Sequence, residues 1–251
     1  MWWAIAESRK PARILYGLGG ERELPELELD WLAGYEESQP VRIGNAASKQ
    51  FQLDVYGEVM SAMCAASDAG MASNDFSWAV MGQVMKHLEK VMDKADSGLW
   101  EMRGPERHFT FSKVMVWVAF DRAVRMVEDH GREGPVEHWR ELRDTVHTEI
   151  CEQGWNEEAG AFTQYYGGTA LDASLLVLPS VGFLPGDDPR VLSTLEKIQE
   201  HLQDGCFVDR YETTEDVDGL PPGESSFLAC SFWMVTALAY AGRVDEARSL
   251  V

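Results

Sequence analysis

"SKVMVWVAFDRAVRMVED", Ser112 to Asp129, is the stretch that decides how this chain folds. Val114, Met115, Trp117, Val118 and Val124 recur at the three-to-four spacing of a helix. Its first half is apolar nearly all round, so no face is left for water, and other elements have to surround it. It predicts an inner helix. The segment after it, Pro135 to Cys151, is charged and amphipathic, as an outer helix would be.

The rest of the chain repeats that alternation. Leu53 to Ala69 carries Leu53, Tyr56, Val59, Met60, Met63 and Cys64 on one helical face. A helix capped by Asn74 or Asp75 runs to about Met92, burying Phe76, Trp78, Val80, Met81, Val84, Met85, Leu88 and Val91. Ala170 to Val181 is expected to be a short apolar helix. Asp188-Pro189 opens another that runs to about Leu202, with Asp at the cap and Pro at the first helical position. Ser225 to Ala241 is apolar and inner, and Val244 begins one more. One or two helices are expected before Pro40, and strand character only around Cys206–Tyr211. An all-α fold of helical hairpins follows, stacked as a solenoid or closed as a barrel, and the long, specific loops favour the barrel.

Composition narrows the function. The chain has 251 residues, 45% hydrophobic and 10% aromatic, enough for a sizeable core. Its net charge of −20 argues against nucleic acid as a partner, because phosphate binding needs a basic face. A surface rich in acid and poor in lysine fits a chain that works in high salt; an ordinary acidic cytosolic protein fits as well. No apolar run approaches the ~18 residues of a membrane span, and no secretory signal opens the sequence. Cys64, Cys151, Cys206 and Cys230 are scattered. Cys64, Cys206 and Cys230 read as small core residues in a reducing, cytoplasmic compartment.

Familiar motifs are missing: no GxSxG, no P-loop, no HExxH. "GLGGER" (17–22) lacks the third glycine of a dinucleotide loop. The histidines have no ligand spacing, so neither metal nor cofactor is expected.

The chemistry is concentrated in loops. "DSGLWEMRGPERHF", Asp96 to Phe109, is too elaborate for a connector, and Gly98 lets the chain turn out of the preceding helix. Glu101 follows Trp100, and a carboxylic acid against an aromatic wall is desolvated toward the raised pKa of a general acid. Glu224 follows "LPPG" at the mouth of an apolar helix, where a helix N-terminus favours the ionised form that suits a general base. Two carboxyls in opposite settings are the arrangement of glycoside hydrolysis. Blander readings stay open here. Glu224 can be a dipole partner, Trp100 a core residue, and Arg103 and Arg210 surface ion-pair residues.

Four stretches resemble glycoside hydrolase family 15, which includes glucoamylases and bacterial trehalases. They are "ESRKPARILYGLGGERELPELELDWLAGYEESQPVRIGNAASKQFQLDVYGEV", "DSGLWEMRGPERHFTFSKVMVWVAFDRAV", "LDASLLVLPSVGFLPGDDPRV" and "GLPPGESSFLACSFWMVTALAYAGRVDEA". The resemblance implies an (α/α)6 barrel and inverting release of glucose from non-reducing ends of α-glucosides. It makes Glu101 the general acid and Glu224 the general base. Arg210 would hold the sugar at the scissile bond, and Trp100 would be the wall beside the acid. Arg103, Arg42, Asn45, Gln52 and Asp54 would line the site. A small α-glucoside or oligosaccharide would be the substrate, glucoamylase-like in the first instance and α,α-trehalose as the alternative. Residues 1–251 are expected to form one partial barrel domain, about eight to ten of twelve helices, without the family's N-terminal β-sandwich domain. A catalytically dead fragment or sugar-binding scaffold is the reading from another class.

Overall fold

A computed structural model describes residues 13–71, 75–212 and 226–251. Asn74 as a cap, Ser225 as a helix start and Glu224 itself lie outside the described residues.

The inner helix is present as α3, Thr110–Glu128, once α1 (Asp54–Asp68) and α2 (Asp75–Val91) have preceded it. Every residue of α3 from Thr110 to Phe120 is buried. The outer helix α4, Val136–Gln153, buries only Trp139, Val146 and Ile150. Helix α1 lies along α3, and α3 lies along α4. One residue sets how close α1 can come. A Cβ on Gly57 would stand 2.3 Å from the Met115 carbonyl oxygen, so the backbones touch where only glycine fits.

Lys113 is buried inside this packing. Its ammonium donates to the Met92 carbonyl at 2.8 Å and pairs with Glu149 at 3.2 Å, so the charge is compensated where the loop after α2 meets α4.

Three further helices complete the described part: α5 (Pro189–Leu202), α6 (Leu228–Tyr240) and α7 (Val244–Ser249). The start of α5 follows its sequence signal. The Asp188 carboxylate accepts from the Arg190 N–H at 2.9 Å, with Pro189 in the first turn. The Arg190 guanidinium holds that carboxyl below the usual range.

Several expectations need correction. Of the stretch before Pro40 where one or two helices are expected, residues 1–12 lie outside the described residues, and residues 13–39 contain no α-helix. Strand β1 (Leu27–Glu28) pairs antiparallel with β2 (Arg42–Ile43), and only a single 3-10 turn, Tyr35–Glu37, lies between them. Pro25 and Pro40 remove the N–H groups a helix would need there. Ala170–Val181 is not a helix either. It holds a 3-10 turn, Ala173–Val177, because Pro179 cannot donate back to Leu175 as an α-helix would demand. One short hairpin was not anticipated, β3 (Trp155–Asn156) with β4 (Ala161–Phe162); the strand character expected around Cys206–Tyr211 is present as β6 (Phe207–Val208), which pairs with β5 (Gln203–Asp204). Cys206 sits exposed in the turn between β5 and β6, beside Gly205 at φ 61°, and is not a core residue; Cys64 and Cys230 are buried as expected. Phe76 is 65% exposed, on the outer side of α2.

The described chain is therefore all-α in character, seven α-helices with marginal strands. Substituting Gly57 by Ala pushes a methyl group into the Met115 backbone, which cannot move aside. Overpacking of this kind costs about 1–3 kcal/mol. Thermal unfolding of G57A is expected roughly 2–12 °C below wild type, and an unchanged Tm would mean that α1 and α3 do not cross at this point.

Candidate active site

The loop Asp96–Phe109 leads directly into α3. Asp96 and Arg107 pair through reciprocal backbone hydrogen bonds of 2.9 Å, closing the loop at its neck. Phe109 bridges to Tyr165, and the Arg107 guanidinium lies 4.1 Å from the Tyr165 ring centre. Met102, Phe109 and Tyr211 form a small apolar cluster beneath the loop.

Glu101 sits at the loop's tip with φ 56°, a left-handed conformation that side chains other than glycine seldom adopt. The surroundings enforce it. Gln50 donates its side-chain amide to the carbonyls of both Glu101 (3.1 Å) and Met102 (3.0 Å). Gln52, one of the expected site residues, is buried and donates to Gln50 at 3.1 Å, so it acts on the loop through its neighbour. Asn45 does two things. Its Oδ1 caps a 3-10 turn through the Ala47 N–H at 2.8 Å, and its Nδ2 donates to the Glu101 carboxylate at 3.4 Å. The structure thus brings Asn45 and Glu101 together as side chains.

Trp100 carries the other flank. Its ring packs on Tyr211, Phe227 and Trp233 with centroids 5.9–6.3 Å away. The Arg210 guanidinium lies 5.3 Å from the ring centre, near enough for a cation–π contact. Its indole N–H reaches both oxygens of Asp172 at 3.0 Å. Trp100 and Arg210 therefore stand together, and Glu101 follows Trp100 along the chain.

Arg42 and Arg103 pair with other carboxylates. Both reach Glu26, at 3.5 and 3.6 Å, and Arg42 also pairs with Glu28 at 3.0 Å. They tie the β1–β2 hairpin to the loop from the solvent side. Asp54 is 5% exposed in the first turn of α1, and its carboxyl is pushed up to about 7 by burial and by neighbouring Asp96 and Glu58. Asp96, whose Oδ2 accepts the Leu53 N–H at 2.9 Å, is pushed up to about 6 by burial. The two buried carboxyls underlie the neck of the loop.

Sequence reasoning missed Gln50 and Asp172. Gln50 lay inside a quoted stretch and Asp172 inside another, but their partners are 51 and 72 residues away. The Asp-Ala-Ser capping pattern at 172–174 was the available signal.

A metal has little to recommend it here. Among the described residues, Cys64, Asp68 and His130 bring three donor atoms within 4.8 Å of one another. Asp68 already pairs with both Arg125 (3.3 Å) and His130 (2.8 Å), which accounts for that carboxylate as a clasp between the ends of α1 and α3. No described helix is long and apolar enough to cross a membrane.

The pair Asp54 and Asp96 makes stability depend on pH. The folded chain keeps protons on them that the unfolded chain has released between about pH 4 and pH 7, so stability falls as the pH rises through that window. Asp54→Asn removes part of this effect. Its Tm relative to wild type should be higher at about pH 8 and nearly unchanged at about pH 4.5; equal shifts at both pH values would show that Asp54 does not titrate with folding.

With this geometry in place, comparison with known proteins is informative. The sequence profile described as "Glycosyl hydrolases family 15" matches residues 4–250. A trehalase of Mycobacterium tuberculosis is 41% identical over 242 residues, spanning 96% of this chain and 35% of that protein. A trehalase of Thermoplasma volcanium is 38% identical over 240 residues, spanning 95% and 38%. Among solved structures, a wild-type glycosidase superposes with a TM-score of 0.71 at 18% identity, covering 86% of this chain and 57% of that one. A glycosidase in complex with glucose gives 0.70 at 16%, with the same coverage, and the likeness extends to the fold. The chain spans well under half the length of these curated trehalases, and it belongs to glycosyl hydrolases family 15.

Proposed function

We propose that this chain carries the acid and base of an inverting α,α-trehalase. The observation that supports this best is the setting of Glu101. Its carboxylate is reached by Asn45, its backbone is gripped by Gln50, and Trp100 and Arg210 stand beside it. The acid protonates the glycosidic oxygen as the bond to the anomeric carbon breaks. Glu224 removes a proton from the water that attacks that carbon from the opposite face. The two carboxyls must then stand roughly 6.5–9.5 Å apart to admit the water. One glucose leaves as the inverted β-anomer and its partner keeps the α configuration. No cofactor takes part in these steps.

Trehalose is preferred to starch-type oligosaccharides because the relatives at 38% and 41% identity carry the name trehalase. Glucoamylase-like release of glucose from other α-glucosides, the first expectation, becomes the second reading. Residues 1–251 are taken as one portion of a barrel whose remaining helices complete the sugar pocket. Four free thiols fit a reducing, cytoplasmic compartment.

The test is glucose release by the full-length polypeptide from trehalose and, separately, from maltose. Glu101→Gln should lower kcat on trehalose by about 10²–10⁴-fold, the usual worth of a general acid. Activity confined to maltose would transfer the assignment to the second reading, and an unchanged kcat would remove Glu101 from the role of acid.

A further inference from the structure

We propose that Asp172 is the positioning residue of this site: its buried carboxyl fixes the Trp100 ring beside the acid, and the turn it caps holds the backbone of Arg210. The proposal rests on the reading of Glu101 as the general acid.

Asp172 is 2% exposed. Both its oxygens accept from the Trp100 indole N–H at 3.0 Å, Oδ2 also accepts from the Gln164 amide at 3.0 Å, and Oδ1 accepts from the Ser174 N–H at 2.8 Å. Burying a carboxyl is expensive, and capping a 3-10 turn does not require one, since serine or asparagine caps as well. What a carboxyl adds is acceptor capacity on both oxygens at once. An asparagine here would turn its amide N–H against the indole, the glutamine or the Ser174 N–H.

The indole bond matters because of what else holds the ring. Tyr211, Phe227 and Trp233 meet Trp100 through faces and edges, and aromatic contacts tolerate sliding and tilting. A hydrogen bond does not, because it weakens steeply as its angle opens. The bond to Asp172 thus sets the rotation of Trp100, and Glu101 is the next residue along a strained backbone.

Two further links leave from the same place. The N–H of Ala173 donates to the Arg210 carbonyl at 2.8 Å, so the residue after Asp172 holds the arginine's backbone. Gln164, whose amide meets Asp172, accepts the Thr110 N–H on its own carbonyl at 2.9 Å, where α3 begins. One buried carboxyl is therefore connected to the wall, to the arginine and to the far end of the acid's loop.

Steady-state kinetics of the full-length chain on trehalose tests this, with the amount of folded enzyme measured for each variant. Asp172→Asn should lose about 10–100-fold in kcat, the usual result of a displacement near 1 Å, with KM changed less than about threefold. Trp100→Phe keeps an aromatic ring, of smaller size, and removes the N–H, and should lose at least a similar factor. The double variant should lose no more than either single one, because both remove the same bond. A merely structural role would reduce the folded fraction and leave kcat per folded molecule intact. Should Asp172→Asn fail to fold, Trp100→Phe decides alone. A wild-type kcat in Trp100→Phe, or losses that multiply in the double variant, beside an inactive Glu101→Gln, overturns the proposal and leaves the acid assignment standing. An active Glu101→Gln overturns both.

Discussion

Burial of α3 on every side over its first three turns is the constraint from which the rest follows. A helix with no wet face cannot be reached from solvent except at its ends. The loop that enters it at Thr110 is such an end, and it is where Glu101, Trp100 and the buried carboxyls collect. The close crossing of α1 at Gly57 serves the same purpose, because it brings the segment 45–54 alongside that entrance. Packing delivers the polar groups of one segment to the loop of another.

The loop itself is held by polar rather than apolar contacts. On one side Gln52 holds Gln50, and Gln50 and Asn45 each reach Glu101, one at its carbonyl and the other at its carboxylate. On the other, Asp172 collects Trp100, Gln164 and Ser174. Under the neck, Asp54 and Asp96 share a dry environment that disfavours their charges. Amide contacts and buried carboxyls are directional, which apolar packing is not, so this loop is held in orientation as well as in place. The arginines outside, Arg42 and Arg103, converge on Glu26 at the water boundary, where ion pairs are screened and contribute little.

How much of this could be read in advance depends on distance along the chain. Helices α1 to α5 were legible because their apolar spacing and caps are local. The acid's loop was legible because tryptophan, glutamate and arginines crowd fourteen residues that a connector would not need. Residues 13–39 were misjudged, because the alternation of leucine with acidic residues from Glu26 to Asp30 is the two-residue period of a strand, and it forms a short ladder with Arg42 and Ile43. Cys206 misled because Phe207 and Val208 make its neighbourhood look apolar, although a two-residue turn projects it into water. The part played by Asp172 was out of reach, since its hydrogen bond to Trp100 spans 72 positions and exists only once α6 and the 3-10 turn have packed.

The backbone of Glu101 has a consequence for how such a protein changes under selection. A left-handed non-glycine residue stores on the order of 1–3 kcal/mol of strain. Glycine at this position would release it, and the chain would become sturdier by losing the side chain at the centre of the site. Selection for heat resistance alone would therefore favour replacing this glutamate. Its retention in a hot or salty habitat would record a demand on the side chain that outweighed the gain in durability.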